Sequence, residues 1–238
     1  MSAVIWHDAE NGAYSGDLTL WEELAAAAGG GPILDLGCGT GRVALHLARR
    51  GHQTVGVDLD PELIAALAER AEGLPLRAVV GDVRRFELGE EVALALAPMQ
   101  LAQLLADGAE RTESLACIAS HLRPGGRIAL SIVESLPVAA EGPPPLPDVR
   151  EVDGWVYSSL PLDAVDIGEE IVIQRLRQTV SPAGELSEEE NEIRIRTLTA
   201  TELEDDGIEA GLKPLPRRRI APTDLHVGST VVLFEKAS

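Results

Sequence analysis

Aromatic residues make up only 3% of this 238-residue chain, which also has two cysteines, two methionines and 20 basic side chains against 39 acidic ones. Each shortage closes off a class of function. Cys38 and Cys117 are too few and too far apart for a disulfide framework, and neither has partners at metal-ligand spacing. The formal charge of −19 repels a nucleic-acid backbone. The compact basic run Arg217-Arg218-Arg219 reads as a solvated strand edge rather than a phosphate track. No apolar run approaches the ~20 residues needed to cross a bilayer, and Met1 to Glu10 lack the basic-then-apolar order of a secretory signal. The expectation is a cytoplasmic protein without a metal, a nucleic acid or a membrane as partner. It handles a small molecule, and its acidity favours a cationic one.

Glycine, by contrast, is plentiful and well placed. Ile33-Leu34-Asp35-Leu36 is an apolar run carrying an acid, followed by Gly37-Cys38-Gly39-Thr40-Gly41 and then a helical pattern over Thr40–Arg50. A strand that turns on glycines into a helix brings backbone N–H groups and the positive helix end up to a ligand. Alone, such a loop serves several nucleotide-binding families. The rhythm continues with strands at Gln53–Asp58, Leu76–Val80, Val92–Ala97 and Arg127–Val133. Helical patterns cover Pro61–Glu72, Gln100–Ala106 and Glu113–Leu122, and Arg123–Gly126 reads as a tight turn. Ahead of the loop the chain reads as irregular, then as a helix through Trp21–Ala28 capped by Asp17 or Thr19 and ended by Gly29–Gly31. Short apolar strands alternating with helices imply a parallel sheet covered on both faces.

Past Val133 the rhythm breaks. Glu141–Pro147 is proline-rich and reads as a stiff linker. Alternating segments follow at Gly154–Leu160, Glu170–Val180 and Glu192–Leu198, with a turn at Ser181–Gly184 and the acidic run Glu188–Glu190 at a tip or edge. A helix opening on Thr199 and Glu202 then leads to Gly211, with final strands at Lys213–Ile220 and Thr230–Glu235. The organisation expected is one domain, with a core over 14–136 and 199–238 and an antiparallel β-hairpin unit inserted over 137–198.

Three acids mark the ends of successive strands: Asp35, Asp58 and Asp82. Asp58 lies 19 residues beyond Gly39, which suits an acceptor for ribose hydroxyls. A dinucleotide site wants a glycine where Arg42 stands, and no phosphate-gripping Gly-Lys-Ser/Thr is present, which disfavours a nicotinamide oxidoreductase and nucleoside triphosphates. Asp-Leu-Gly-Cys-Gly-Thr-Gly-Arg, Val-Asp-Leu-Asp-Pro-Glu, Gly-Asp-Val and Leu-Arg-Pro-Gly-Gly-Arg together resemble the motifs of class I S-adenosylmethionine-dependent methyltransferases over about residues 14–133. Tyr14 with Asp17 and Trp21, the segment Ala97–Gln100 and the inserted hairpins resemble the small-molecule subgroup that methylates amino sugars and glycine. The Asn/Asp-Pro-Pro-aromatic signature of DNA and glutamine methylating relatives is replaced by Ala97-Pro98-Met99.

The resemblance implies a doubly wound, Rossmann-like α/β sheet of seven strands, order 3-2-1-4-5-7-6 with strand 7 antiparallel. It implies S-adenosyl-L-methionine as cofactor, held by Tyr14, Asp35, Gly37, Cys38, Gly39, Arg42, Asp58, Leu59, Asp82, Val83 and Ala97. Asp58 would take the ribose, Leu59 cover the adenine, and Asp82 with Val83 read its edge; Cys38 would offer its backbone amide. Direct in-line transfer to an amine or hydroxyl of a small molecule follows, with a cofactor-binding but inactive partner protein as the alternative. The layout puts the loop after the sixth strand on the same rim, so His226, with Asp224, is a candidate base or substrate contact, set against a solvent-facing turn histidine. Trp155 and Tyr157 share one strand face and read as hairpin core. The hairpin edges offer a surface for a homodimer.

Overall fold

Runs that are apolar on both faces form the centre of a sheet. In a computed structural model describing residues 2–135, 146–223 and 226–237, β1 (Ile33–Leu36), β2 (Thr54–Asp58), β3 (Leu76–Val80), β4 (Val92–Ala97) and β5 (Leu122–Ile132) run parallel. Every residue of β1 and β4 is buried. A second sheet, antiparallel throughout, holds β6 (Asp148–Val152), β7 (Trp155–Asp166), β8 (Glu170–Val180) and β9 (Leu186–Arg196). The chain then returns to the first sheet with β10 (Leu212–Ile220) and β11 (Ser229–Lys236). The order is β10-β11-β5-β4-β1-β2-β3, with β11 antiparallel to both neighbours. This is the seven-stranded order expected from the motifs.

Among the described residues, six α-helices pack around the sheets: α1 (Ser2–Asn11), α2 (Leu18–Ala27), α3 (Arg42–Ala48), α4 (Pro61–Arg70), α5 (Gly108–His121) and α6 (Ala200–Glu209). Their starts are written locally. Pro61 occupies the first turn of α4 while the Asp60 carboxylate accepts from Glu62 N at 2.8 Å. α6 opens with the expected Thr199–Glu202 capping box. Leu34, Leu36, Val57 and Leu130 lie in one core cluster with Phe234, while Trp21 and Leu24 of α2 cover the opposite face with Val43 and Leu94.

Four expectations need correction. The start of the chain is not irregular: α1 is helical, with Ile5, Trp6 and Ala9 buried. Gln100–Ala106 is not a helix but a single 3₁₀ turn, Leu101–Gln103, because Met99 and Gln100 turn the chain with φ of 55° and 56°. Arg123–Gly126 does not stand apart as a turn; it is the bulged start of β5, where the pairing with β4 shifts register. Among the described residues the inserted unit has four strands rather than three, β6 being the addition; Glu188–Glu190 does lie at an edge, within the edge strand β9. The Glu141–Pro147 linker falls largely outside the described residues.

The second sheet lies over α1. Tyr157 on β7 meets Trp6 edge-on at 5.3 Å, and the Arg177 guanidinium of β8 stacks over the same indole at 5.1 Å. α1 is therefore enclosed between the two sheets' elements, with α4 beside it.

Candidate functional site

In an open α/β sheet, ligands bind beyond the carboxyl ends of the strands where the strand order reverses. Here that point lies between β1 and β4. The loop leaving β1 has Gly37, Gly39 and Gly41 all at positive φ, 61°, 52° and 93°. A Cβ on Gly37 would sit 3.0 Å from Leu101 Cδ1, and one on Gly39 would sit 2.1 Å from His7 Nε2. Glycine at 39 is therefore required twice, by backbone angle and by the imidazole laid against it.

The carboxylates order this loop. Asp58, the last residue of β2, accepts from Gly39 N at 2.8 Å through Oδ2 and from Asp60 N at 3.0 Å through Oδ1. It remains only partly buried. Asp35 lies inside β1 rather than at its end, and its Oδ2 accepts from Ala44 N in the first turn of α3 at 2.9 Å. Oδ1 is buried and has no hydrogen-bond partner among the described residues, and Asp35 is 1% exposed. Burial pushes its carboxyl up to about 7, against the lowering pull of Arg42.

Arg42 points away from the loop. Its guanidinium donates two bonds to Asp17, at 2.6 and 2.7 Å, and a third to the Tyr14 carbonyl at 3.0 Å. Asp17 also accepts from Trp21 Nε1 at 2.7 Å, so its side chain makes no cap for α2 despite standing at the N-cap position. Arg42 and Asp17 thus fix the turn that carries Tyr14. The Tyr14 ring lies 4.5 Å from the His226 ring and under the Arg42 guanidinium. His226 is exposed, and its backbone N–H donates to Thr223 Oγ1 at 3.0 Å. Asp224, its expected partner, lies outside the described residues.

The remaining expected residues divide. Asp82 is taken up by Arg84, which donates from Nε and Nη2, and this pair holds the carboxyl down to about 2. Val83 is buried against Phe86 and Leu115, Ala97 is fully buried at the end of β4, and Leu59 is 68% exposed beside Asp58. Cys38 departs from expectation: its amide donates to Val57 O at 3.1 Å, stitching the loop to β2, so it is not free to hold a ligand. Its thiol is pushed far up by burial.

Sequence reasoning missed α1. His7 lies against Gly39, and Asp8 accepts from Thr40 Oγ1 at 2.6 Å and from Arg70 at 2.6 and 2.9 Å. Glu10 accepts from Arg177 at 2.8 and 2.9 Å and from Ser159 Oγ at 2.8 Å. A cavity of about 450 Å³ opens between α1, α4 and the second sheet, lined by Trp6, His7, Glu10, Leu63, Arg177 and Glu189. The available signal was the Ile5, Trp6, Ala9 spacing, blurred by two inward-facing acids.

Residues 33–126 match a family described as "Methyltransferase domain". The ribosomal protein L11 methyltransferase of Xanthomonas campestris is 35% identical over 115 residues, which is 47% of this chain and 36% of that protein. The ubiquinone biosynthesis O-methyltransferase of Xanthomonas axonopodis is 32% identical over 112 residues, 46% of each. The chain thus spans less than half the length of these curated relatives. Among solved structures, a sugar N-methyltransferase from a Streptoalloteichus species superposes with a TM-score of 0.79 at 19% identity, covering 100% of this chain and 93% of that one. An amino pentose methyltransferase from Micromonospora echinaspora gives 0.72 at 21% identity, covering 96% of both.

Proposed function

We propose that the chain is a class I methyltransferase, which transfers the methyl group of S-adenosylmethionine to an amine nitrogen of a small molecule. One observation carries the cofactor half of this reading. The buried carboxyl of Asp35, its Oδ1 unbonded among the described residues, lies at the reversal of strand order beside a glycine loop whose backbone Asp58 holds. A desolvated acid short of a partner fits a ligand that brings a positive charge, such as the ammonium of a methionine. Asp58 retains lone pairs for the ribose hydroxyls, and exposed Leu59 is free to cover a base. The adenine edge falls less to Asp82, whose oxygens Arg84 occupies.

When bound, the cofactor supplies a methyl already activated on a sulfonium. The protein's work is then placement and exclusion of water. Arg42 and Asp17 set the Tyr14 turn, and α1 with the second sheet roofs the site. The acceptor must arrive as a free amine, its lone pair in line with the carbon–sulfur bond. A cavity of about 450 Å³ has room for a small molecule, and the overall charge of −19 favours a cationic one. The sugar and amino pentose methyltransferases named above share the fold over the second sheet as well as the first, which supports a small acceptor.

Calorimetry with S-adenosylmethionine and S-adenosylhomocysteine, followed by transfer of labelled methyl to a panel of amines and phenols, tests this. Saturable binding of both and labelling of an amine are expected. A folded protein that binds neither ligand removes the reading. Binding without transfer to any panel member favours the inactive cofactor-binding alternative.

A further inference from the structure

The imidazole of His7 is held in a defined tautomer by a short chain of hydrogen bonds. Thr40 Oγ1 has one proton, and at 2.6 Å it is given to the Asp8 carboxylate. Asp8 is itself kept below the usual carboxylate range by Arg70 and Thr40 despite its burial. The second contact of Thr40 Oγ1, with His7 Nδ1 at 3.3 Å, is then one in which the hydroxyl oxygen accepts and Nδ1–H donates. This leaves Nε2 as an acceptor. Nε2 lies against the loop, close enough that a Cβ on Gly39 would meet it at 2.1 Å. The N–H of the same Gly39 is held by Asp58.

Resting on the cofactor reading above, we infer that His7 is a cofactor-positioning residue, whose Nε2 accepts a hydrogen bond from a ribose hydroxyl beside Asp58. Two acceptors of different kinds then meet the sugar over one glycine: a carboxylate from the sheet and a neutral imidazole from α1. The consequence is that α1 and the sheet hold the nucleoside jointly. The same imidazole lines the cavity beneath the second sheet, so it also separates cofactor from acceptor space. Charges that bear on the ring are Asp8 and Glu10 of α1, Asp58 of β2 and Arg70 of α4; Arg150 of β6 reaches Asp8, and Arg177 of β8 reaches Glu10. Burial outweighs the acids and lowers the imidazole's proton affinity, which keeps Nε2 free at neutral pH.

The test uses the whole chain with S-adenosylhomocysteine and its 2′-deoxy and 3′-deoxy counterparts. His7→Leu is expected to weaken S-adenosylhomocysteine roughly tenfold, in line with loss of one hydrogen bond. The variant should also lose the wild type's preference for the intact ribose over one of the two deoxy compounds. His7→Gln, whose side-chain oxygen accepts but does not titrate, should restore most of the affinity. Nitrogen-15 spectra of the wild-type ring provide a readout independent of any variant's folding. They should show the Nδ1–H tautomer, with the Nε2 resonance moving when S-adenosylhomocysteine is added. An Nε2–H tautomer, an unmoved Nε2 resonance, or a folded Leu variant that binds as tightly as wild type or tighter would overturn the inference and leave the methyltransferase reading standing. Failure of the wild type to bind S-adenosylhomocysteine would instead overturn that reading.

Discussion

Replacing Asp35 with asparagine should make the ligand-free protein more stable and a poorer cofactor binder. The Asp35 carboxyl is shifted from an ordinary value of 3.8 to about 7 by burial. At 1.36 kcal/mol per pKa unit, keeping it ionised at pH 8 costs the native state up to roughly 4 kcal/mol. The sign follows from the raised value. The native chain holds this proton more tightly than the unfolded chain, so wild-type stability falls as pH rises from about 4 to 7 and the loss is complete above that. The amide introduced by Asp35→Asn does not titrate, yet its carbonyl can still accept from Ala44 N, so the start of α3 survives. For a chain of this size 1 kcal/mol is about 2 °C in melting temperature. The variant should therefore melt up to about 8 °C higher at pH 8, with the gain shrinking to less than half at pH 5. Thermal melts of both proteins from pH 5 to 8.5 measure this. Its affinity for S-adenosylhomocysteine should fall by roughly 10- to 100-fold, the worth of a hydrogen bond between charged groups. Melting temperatures that run parallel across the pH range would refute the account of Asp35 as an ionised, under-partnered acid.

Arg42→Ala should cost about 3–5 kcal/mol, because it leaves Asp17, 1% exposed, as an unpaired buried charge. Denaturant unfolding reads it, and a loss below 1 kcal/mol would show that water replaces the guanidinium. Gly39→Ala should force the His7 ring off the loop and strain a backbone at φ 52°, so limited proteolysis should cut near Gly12–Gly16 several times faster than in wild type. Equal cutting rates would mean that α1 docks without this contact. His226→Gln should leave the pH profile of methyl transfer unchanged if His226 only packs on Tyr14; loss of an ionisation between pH 5 and 8 would restore it as a base.

The sheet was legible because its strands are short, apolar and bounded by glycine, proline or an acid, so pattern and burial coincide. The glycine loop was legible for the same reason: only glycine tolerates those backbone angles. What failed did so where long-range charge replaces local pattern. α1 buries Asp8 and half-buries Glu10, so its inward face does not look apolar, and their partners Arg70, Arg175 and Arg177 lie far along the chain. Arg42 stood at a position read as cofactor contact, yet its fork is spent on Asp17 and Tyr14. Met99 and Gln100 adopt angles that their side chains disfavour, and no local signal announces that.

Glu10 bonds to Ser159 and Arg177, 149 and 167 residues further along the chain. At synthesis rates of 5–20 residues per second, the carboxylate waits roughly 8 to 35 seconds for its arginine to be made. A ten-residue helix is marginal by itself over that interval. α1 thus finds its place only after the second sheet has been made, and the cleft beneath that sheet acquires its roof at the same moment.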